Sequence, residues 1–195
     1  MDRKTRVSYA AVHDAIHTRI VKGRYRPSRR IGIAELAQQL GVSTTPVREA
    51  LRQLAGREIV VERPREGFYL APLSASAISS LYRAHASVIG TVLTGVGAVV
   101  SASRGAPTVW RLFDDCASLS GDEATIAIRR YLQDRLAALR RAEAIVCHDL
   151  AIRAKALASA LVEEDRQAAC KISEAFHGDC AGQAARIALL FDPVT

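Results

Sequence analysis

Residues 40–54, LGVSTTPVREALRQL, decide the reading of this chain. Gly41 suits the left-handed backbone position that closes a helix. Ser43 suits the N-cap of the next helix, and Pro46 falls in its first turn, where the donor that proline lacks is unpaired anyway. Val47, Leu51 and Leu54 then share one face, with Arg48 and Arg52 four apart on another. The stretch predicts the end of one helix, a tight turn, and a second helix with an apolar and a basic side.

Working upstream, Ile33, Leu36, Ala37 and Leu40 make the apolar stripe of the first of those two helices. Before it, Tyr25-Arg26-Pro27-Ser28 reads as a turn. Val12, Ile16 and Ile20 recur every four residues and predict a helix ending near Gly23. Downstream, Ile59-Val60-Val61 and Phe68-Tyr69-Leu70 are β-like runs around Glu62-Arg63-Pro64-Arg65-Glu66-Gly67, a hairpin with a basic, Gly-containing tip. Two short helices joined by a tight turn and followed by a hairpin make a winged helix-turn-helix.

Charge agrees with that division. Of 195 residues, 49% are apolar and 24% charged, the balance of a globular protein. Residues 1–72 hold 14 Lys/Arg against 7 Asp/Glu, whereas residues 73–195 hold 13 against 13. The whole excess of +7 sits in the first third, which points to an anionic partner, nucleic acid first. Thr44 and Thr45 stand at the start of a helix whose free amides and dipole favour phosphate. Arg48 lies one turn further in, where a guanidinium can fork onto guanine. Arg52 shares its face, and Arg63, Arg65 and Gly67 occupy the hairpin tip, where a loop can approach the DNA closely.

The segment from Ile16 to Ser74, with LGVSTTPVREALRQL at its centre, resembles the DNA-binding domain of the GntR superfamily of bacterial transcriptional regulators, and the likeness covers about residues 9–74. The resemblance implies a homodimer on a short two-fold-symmetric operator of double-stranded DNA, usually acting as a repressor. It carries DNA-contact roles onto Thr44, Thr45, Arg48 and Gly67. Many relatives have arginine where this chain has Ala34 and Thr44, so the family's operator sequence does not carry over.

The expected division is a winged helix-turn-helix in residues 1–72 and an all-α domain of about six helices in residues 73–195, a mainly α protein. Ser74 or Ser76 is placed to cap the first helix of the second part. Breaks fall at residues 105–107 and 118–121. Leu132, Leu136 and Leu139, then Leu157, Leu161 and Ile172, supply apolar stripes. Residues 178–182 end the long run, and residues 183–191 form a last helix.

In order and position this part resembles the ligand-sensing domain of the FadR-type branch. The family's divalent-metal ligands, an Asp and three His, fall here on Val109, Phe113, Ala154 and Phe176, none of which can coordinate. Shifting the alignment to use Asp134 would put Ala138 at its His partner's place. His148 and His177 lie nearby, but His177 is one residue from the ligand position, which turns it about 100° from the required face. His85 and Ile89 stand where relatives carry Arg and Glu. The expectation is therefore no metal and no cofactor. A small-molecule effector, if one binds near His85, Val109, Trp110 and Phe113, with Tyr82 and Phe176 beside them, is expected to be more apolar than a dicarboxylate. The alternative is a helical domain that only dimerises.

An enzyme fits poorly. The chain has no nucleophile elbow, Gly-rich phosphate loop or paired-carboxylate motif, and Cys147-His148-Asp149 are adjacent and do not share one helical face. Cys116, Cys147, Cys170 and Cys180 form no C-x-x-C pair and read as small buried residues of a reduced, cytoplasmic protein. Residues 84–103 lack charges but carry His85, several Ser/Thr and three glycines, which suits a buried helix better than a membrane span. The N-terminal charges precede no apolar run, so no secretory signal is expected.

Overall fold

The computed structural model describes residues 9–95 and 106–192. Helix α1 spans Tyr9–Val21 and buries Val12, Ile16 and Ile20, the stripe set by their four-residue spacing. Strand β1, Arg30–Ile31, follows, and then α2, Ile33–Leu40, and α3, Thr44–Gly56. Gly41 closes α2 at φ 66°, its N–H reaching the carbonyls of Ala37 and Gln38. Ser43 occupies the N-cap position of α3 in extended conformation, though its hydroxyl makes no capping bond. Helix α3 buries Val47, Ala50, Leu51 and Leu54 and leaves its other side in water.

The hairpin is β2, Val60–Arg63, paired antiparallel with β3, Gly67–Leu70. Strand β1 joins on the other side of β3, giving the sheet order β1-β3-β2 with Arg30 opposite Tyr69 and Ile31 opposite Phe68. This third strand was not foreseen in the sequence. Two residues are too few for an alternation to show, yet it buries Ile31 and leaves Arg30 exposed.

Seven described helices follow the sheet, one more than expected: α4 Ala75–Gly95, α5 Val109–Leu119, α6 Glu123–Ala137, α7 Arg140–Val146, α8 Leu150–Val162, α9 Arg166–Gly182 and α10 Ala184–Phe191. Ser74 is the residue that caps α4, its hydroxyl accepting from the Ala77 N–H at 3.2 Å. Helix α4 is the spine, in contact with α5, α6, α9 and α10. It buries Ile78, Tyr82, His85, Ile89, Val92 and Leu93, so the described part of the uncharged stretch packs inside the protein. Its remainder, with the first residue of the expected break at 105–107, lies outside the described residues; Thr108 caps α5, accepting from the Arg111 N–H. Helix α9 runs through Gly178 and ends only at Gly182, so the break expected to start at 178 comes later. Among the described residues no helix is long and apolar enough to cross a membrane.

Candidate nucleic-acid interface and helical-domain core

Thr44 and Thr45 form the exposed first turn of α3, and Arg48 follows on the same exposed side. Arg48, Arg63, Arg65 and Gly67 line one cleft of about 450 Å³ between the starts of α2 and α3 and the hairpin. The arrangement follows from the local folds. The buried stripe of α3 fixes which side faces out, and the β2–β3 register, with Arg63 opposite Gly67, sets the tip beside it.

The arginines differ in freedom. Arg52 lies 3.8 Å from the Glu62 carboxylate, and Arg63 lies 3.6 Å from that of Glu66 while its guanidinium sits over the Tyr69 ring. Arg48 and Arg65 have no acidic partner among the described residues. Arg65 holds φ 65°, behind Pro64 in the turn, a conformation that favours Gly or Asn and costs a long side chain strain. Gly67 holds φ 109°, and a Cβ there would lie 2.8 Å from Arg30 Nε. Arg30 thus runs beside the hairpin and lines the same cleft, a residue that sequence reasoning missed. Its signal was the Arg29-Arg30 pair ahead of the Ile31-Gly32-Ile33 alternation.

In the helical domain, Val109, Phe113, Ala154 and Phe176 are all buried, so the positions aligned with the family's metal ligands are apolar core. They do not fit a metal, and among the described residues no three His, Cys, Asp or Glu side chains are grouped to hold one. His85, Trp110 and Phe113 come together as expected, with Tyr82 and Phe176. His177 corrects the sequence reading: it faces inward beside Phe176, stacked on Phe113 with ring centroids 5.2 Å apart. The reason is the wide buried arc of α9, which takes in Ala169, Ser173, Phe176, His177 and Cys180 and so spans a step of about 100°. His148 is exposed.

The rings of Tyr82, His85, Trp110, Phe113, Phe176 and His177 fill the space between α4, α5 and α9, with neighbouring centroids 5.0–6.5 Å apart. Glu143, fully buried, accepts from Tyr82 Oη and from Trp110 Nε1, each at 2.7 Å. Burial raises its carboxyl above the usual range, against the opposing pull of Arg140 and these two donors.

Fold and interface together define a class: a winged helix-turn-helix with an arginine-lined face, joined to an all-helical domain. Residues 8–70 match the family of bacterial regulatory proteins, gntR family, and this N-terminal part is a GntR-family helix-turn-helix domain. Over 57 residues the chain is 46% identical to the HTH-type transcriptional regulator YieP of Escherichia coli K12, covering 29% of this chain and 25% of that protein. Over 62 residues it is 40% identical to the Nta operon transcriptional regulator of Aminobacter aminovorans, covering 32% and 30%. The matched part thus spans about a third or less of these two curated relatives. In fold, a GntR transcriptional regulator from Rhodococcus sp. RHA1 superposes with TM-score 0.69 at 17% identity, over 90% of this chain and 96% of that one. E. coli McbR/YncC superposes with TM-score 0.67 at 14% identity, over 87% and 93%.

Proposed function

We propose that the chain is a transcriptional regulator, a repressor, that binds a two-fold-symmetric DNA operator as a homodimer. Residues 1–72 read the DNA and residues 73–195 dimerise and sense a small molecule. The single observation that carries DNA binding is the cleft in which Arg30, Arg48, Arg63 and Arg65 converge beside the exposed first turn of α3. In this reading α3 enters the major groove with Thr44 and Thr45 on phosphate or base edges and Arg48 on a base. The hairpin tip then follows the neighbouring backbone with Arg63, Arg65 and the close approach allowed at Gly67. Arg52, held near Glu62, adds charge at the rim.

Gel shifts on the DNA upstream of the chain's own gene, over a salt series, test this. Retarded bands that weaken steeply with salt and resist competition by scrambled DNA are expected, and equal affinity for scrambled DNA would refute operator reading. Light scattering should find the full chain dimeric and residues 1–74 alone monomeric, with far weaker operator binding once the linked half-site is lost.

The replacement of metal-ligand positions by Val109, Phe113, Ala154 and Phe176 supports an effector more apolar than a dicarboxylate. A second reading, in which the helical domain only dimerises, is favoured by the six rings that fill its centre. A screen for small molecules that raise the melting temperature separates the two, because selective binding to the folded state must stabilise it.

A further inference from the structure

The backbone pairing places Arg30 on the outer face of the sheet. Strand β3 buries Phe68 and Leu70 and turns Gly67 and Tyr69 the other way. Arg30 of β1 stands opposite Tyr69, and Arg63 of β2 stands opposite Gly67, so these four residues share that face. The two arginines reach the central strand from its two sides. The Arg63 guanidinium lies over the Tyr69 ring, 4.3 Å from its centroid. Arg30 crosses instead to Gly67, the diagonal neighbour two residues along β3 from Tyr69. A Cβ on Gly67 would lie 2.8 Å from Arg30 Nε, 3.3 Å from Nη2 and 3.4 Å from Cζ. The guanidinium thus occupies the place where a side chain at residue 67 would begin.

That contact changes what the glycine does. A glycine at a hairpin tip lets DNA come close where its open side is empty, and here that side is filled from within the chain. Arg30 is exposed and makes no ion pair among the described residues. Arg63, by contrast, is held near Glu66 and on Tyr69. Arg30 lines the same cleft as Arg48 and Arg65, and Ile33 brings the start of α2 to that cleft. Ala34, exposed in the first turn of α2, offers no donor there, so the cation at this end comes from Arg30, four residues earlier.

A phosphodiester is the anion that this arrangement fits. A guanidinium bonds phosphate through paired N–H groups, and one that already rests against a neighbour has less freedom to lose on binding. Base edges are the work of α3, which carries Arg48, whereas Arg30 starts from the sheet, beside the hairpin that follows the DNA backbone. We propose that Arg30 is a phosphate contact of the DNA interface and that Gly67 is its seat. The missing side chain at residue 67 leaves room for the guanidinium, and the close approach at Gly67 is made by Arg30 rather than by DNA. This assignment rests on the reading of residues 1–72 as the DNA-binding part and names a contact within it.

Gel shifts over a salt series test this with the full chain, on the DNA upstream of its own gene and on a scrambled counterpart. Arg30→Ala should weaken binding to both DNAs by the same factor, about tenfold near 0.1 M salt, and make the plot of log affinity against log salt shallower by about one. Its melting temperature should stay that of the wild type, because the side chain is exposed. An unchanged slope, or a loss confined to the operator, overturns the phosphate role. So does a lowered melting temperature with the slope kept, which would make Arg30 a brace of the hairpin. Arg30→Lys keeps the charge and should restore the slope; a slope as shallow as that of Arg30→Ala overturns the contact. Gly67→Ala separates the seat from an open approach. Its Cβ displaces Arg30, so it should weaken binding in the wild type and add no loss in Arg30→Ala, the backbone strain cancelling between the two backgrounds. An equal loss in both overturns the seat. Gly67→Asn, from a residue type that tolerates positive φ, serves in the same cycle should Gly67→Ala fail to fold. Wild type that retards neither DNA fails the DNA-binding reading and the contact with it, whereas operator binding with the Arg30→Ala slope unchanged fails the contact alone.

Discussion

Arg57, the residue that closes α3, donates to Asp134 of α6 at 2.9 Å, and so ties the end of the exposed helix to the helical domain. His17 of α1 lies 3.3 Å from the other carboxylate oxygen. The neighbouring Arg135 donates to the carbonyl and the carboxylate of Glu58 at 2.6 and 2.8 Å. Tyr131, one turn earlier, donates to Glu58 as well. One face of α6 therefore grips the first domain where α1 and α3 end or cross. Bonded side chains, and not the connecting chain alone, therefore join α6 to the end of α3.

Asp134→Asn should weaken that grip. Burial by itself raises the Asp134 carboxyl, but His17 and Arg57 outweigh it and hold the group below its ordinary value. A carboxyl lowered in the folded state adds stability that is complete above about pH 4, the unfolded range, and is lost as pH falls through the lowered folded value. Urea unfolding should show the variant less stable at pH 7 by about 1–3 kcal/mol, the cost of a part-buried charged hydrogen bond. As pH falls through the lowered folded value the gap should narrow, because the wild type then loses the same interaction. A gap independent of pH would mean that the ion pair contributes nothing beyond packing.

Arg48→Ala should cost roughly 1–3 kcal/mol of operator affinity and relax one base position, whereas Arg65→Ala should weaken binding evenly across sequences. Arg52→Ala should matter less than either, since that guanidinium already has Glu62 beside it. Gel shifts on specific and random DNA provide the comparison. Equal losses on both DNAs for Arg48→Ala would reduce that residue to a phosphate contact.

Arg65→Gly separates stability from binding at the hairpin tip. Glycine adopts φ 65° without the penalty a side chain incurs there, and this offsets its greater freedom when unfolded. Thermal unfolding should change by no more than about 1 kcal/mol, while DNA affinity falls. A variant that loses stability but binds DNA as well as the wild type would show that Arg65 serves the fold.

What the sequence made legible follows from what marks an element locally. Helices α1 to α3 and the hairpin were readable nearly to the residue because Gly23, Gly41, Ser43 and Gly67 punctuate their ends, and Gly23, Gly41 and Gly67 all hold positive φ. Between Asp122 and His177 there is no Gly or Pro, and the three breaks come from other causes. Leu139 starts α7 without a capping bond, Cys147 turns extended at its end, and Asp165 caps α9 by accepting from the Ala168 N–H beside Glu164 at φ 57°. The last two leave a sequence trace, Asp149 and Asp165 each standing at the N-cap position ahead of an Ala-containing run, though only Asp165 makes the capping bond. The ring cluster was half legible: its aromatic members stood out, but the bond between His85 and His177 joins residues 92 apart. No local pattern encodes such a pairing, and the buried arc of α9 is wider than a single helical face, so it takes in both Phe176 and His177.

The cysteines give the last test. Cys116 and Cys180 are fully buried, and Cys147 and Cys170 are part-buried. Burial is the first cause of an upward shift at all four, drawing Cys116 up to about 11, while nearby Asp115 and Glu174 add to it at Cys116 and Cys170. Because the thiolate and not the thiol attacks, a raised value means a small reactive fraction near neutral pH. Titration with Ellman's reagent at pH 8 should therefore find Cys147 and Cys170 reacting more slowly than a free thiol, and Cys116 and Cys180 silent until guanidinium unfolds the chain. Raising the pH to about 9.5 should speed Cys170 and Cys147 before it exposes Cys116, since approach limits the buried pair as much as ionisation does. Cys147 Sγ lies 3.6 Å from Cys180 Sγ, so labelling at Cys147 should also loosen the α9 packing and shift Trp110 fluorescence, which labelling of Cys170 should not. Four thiols titrating at one fast rate in the native protein would contradict both the burial and the ordering.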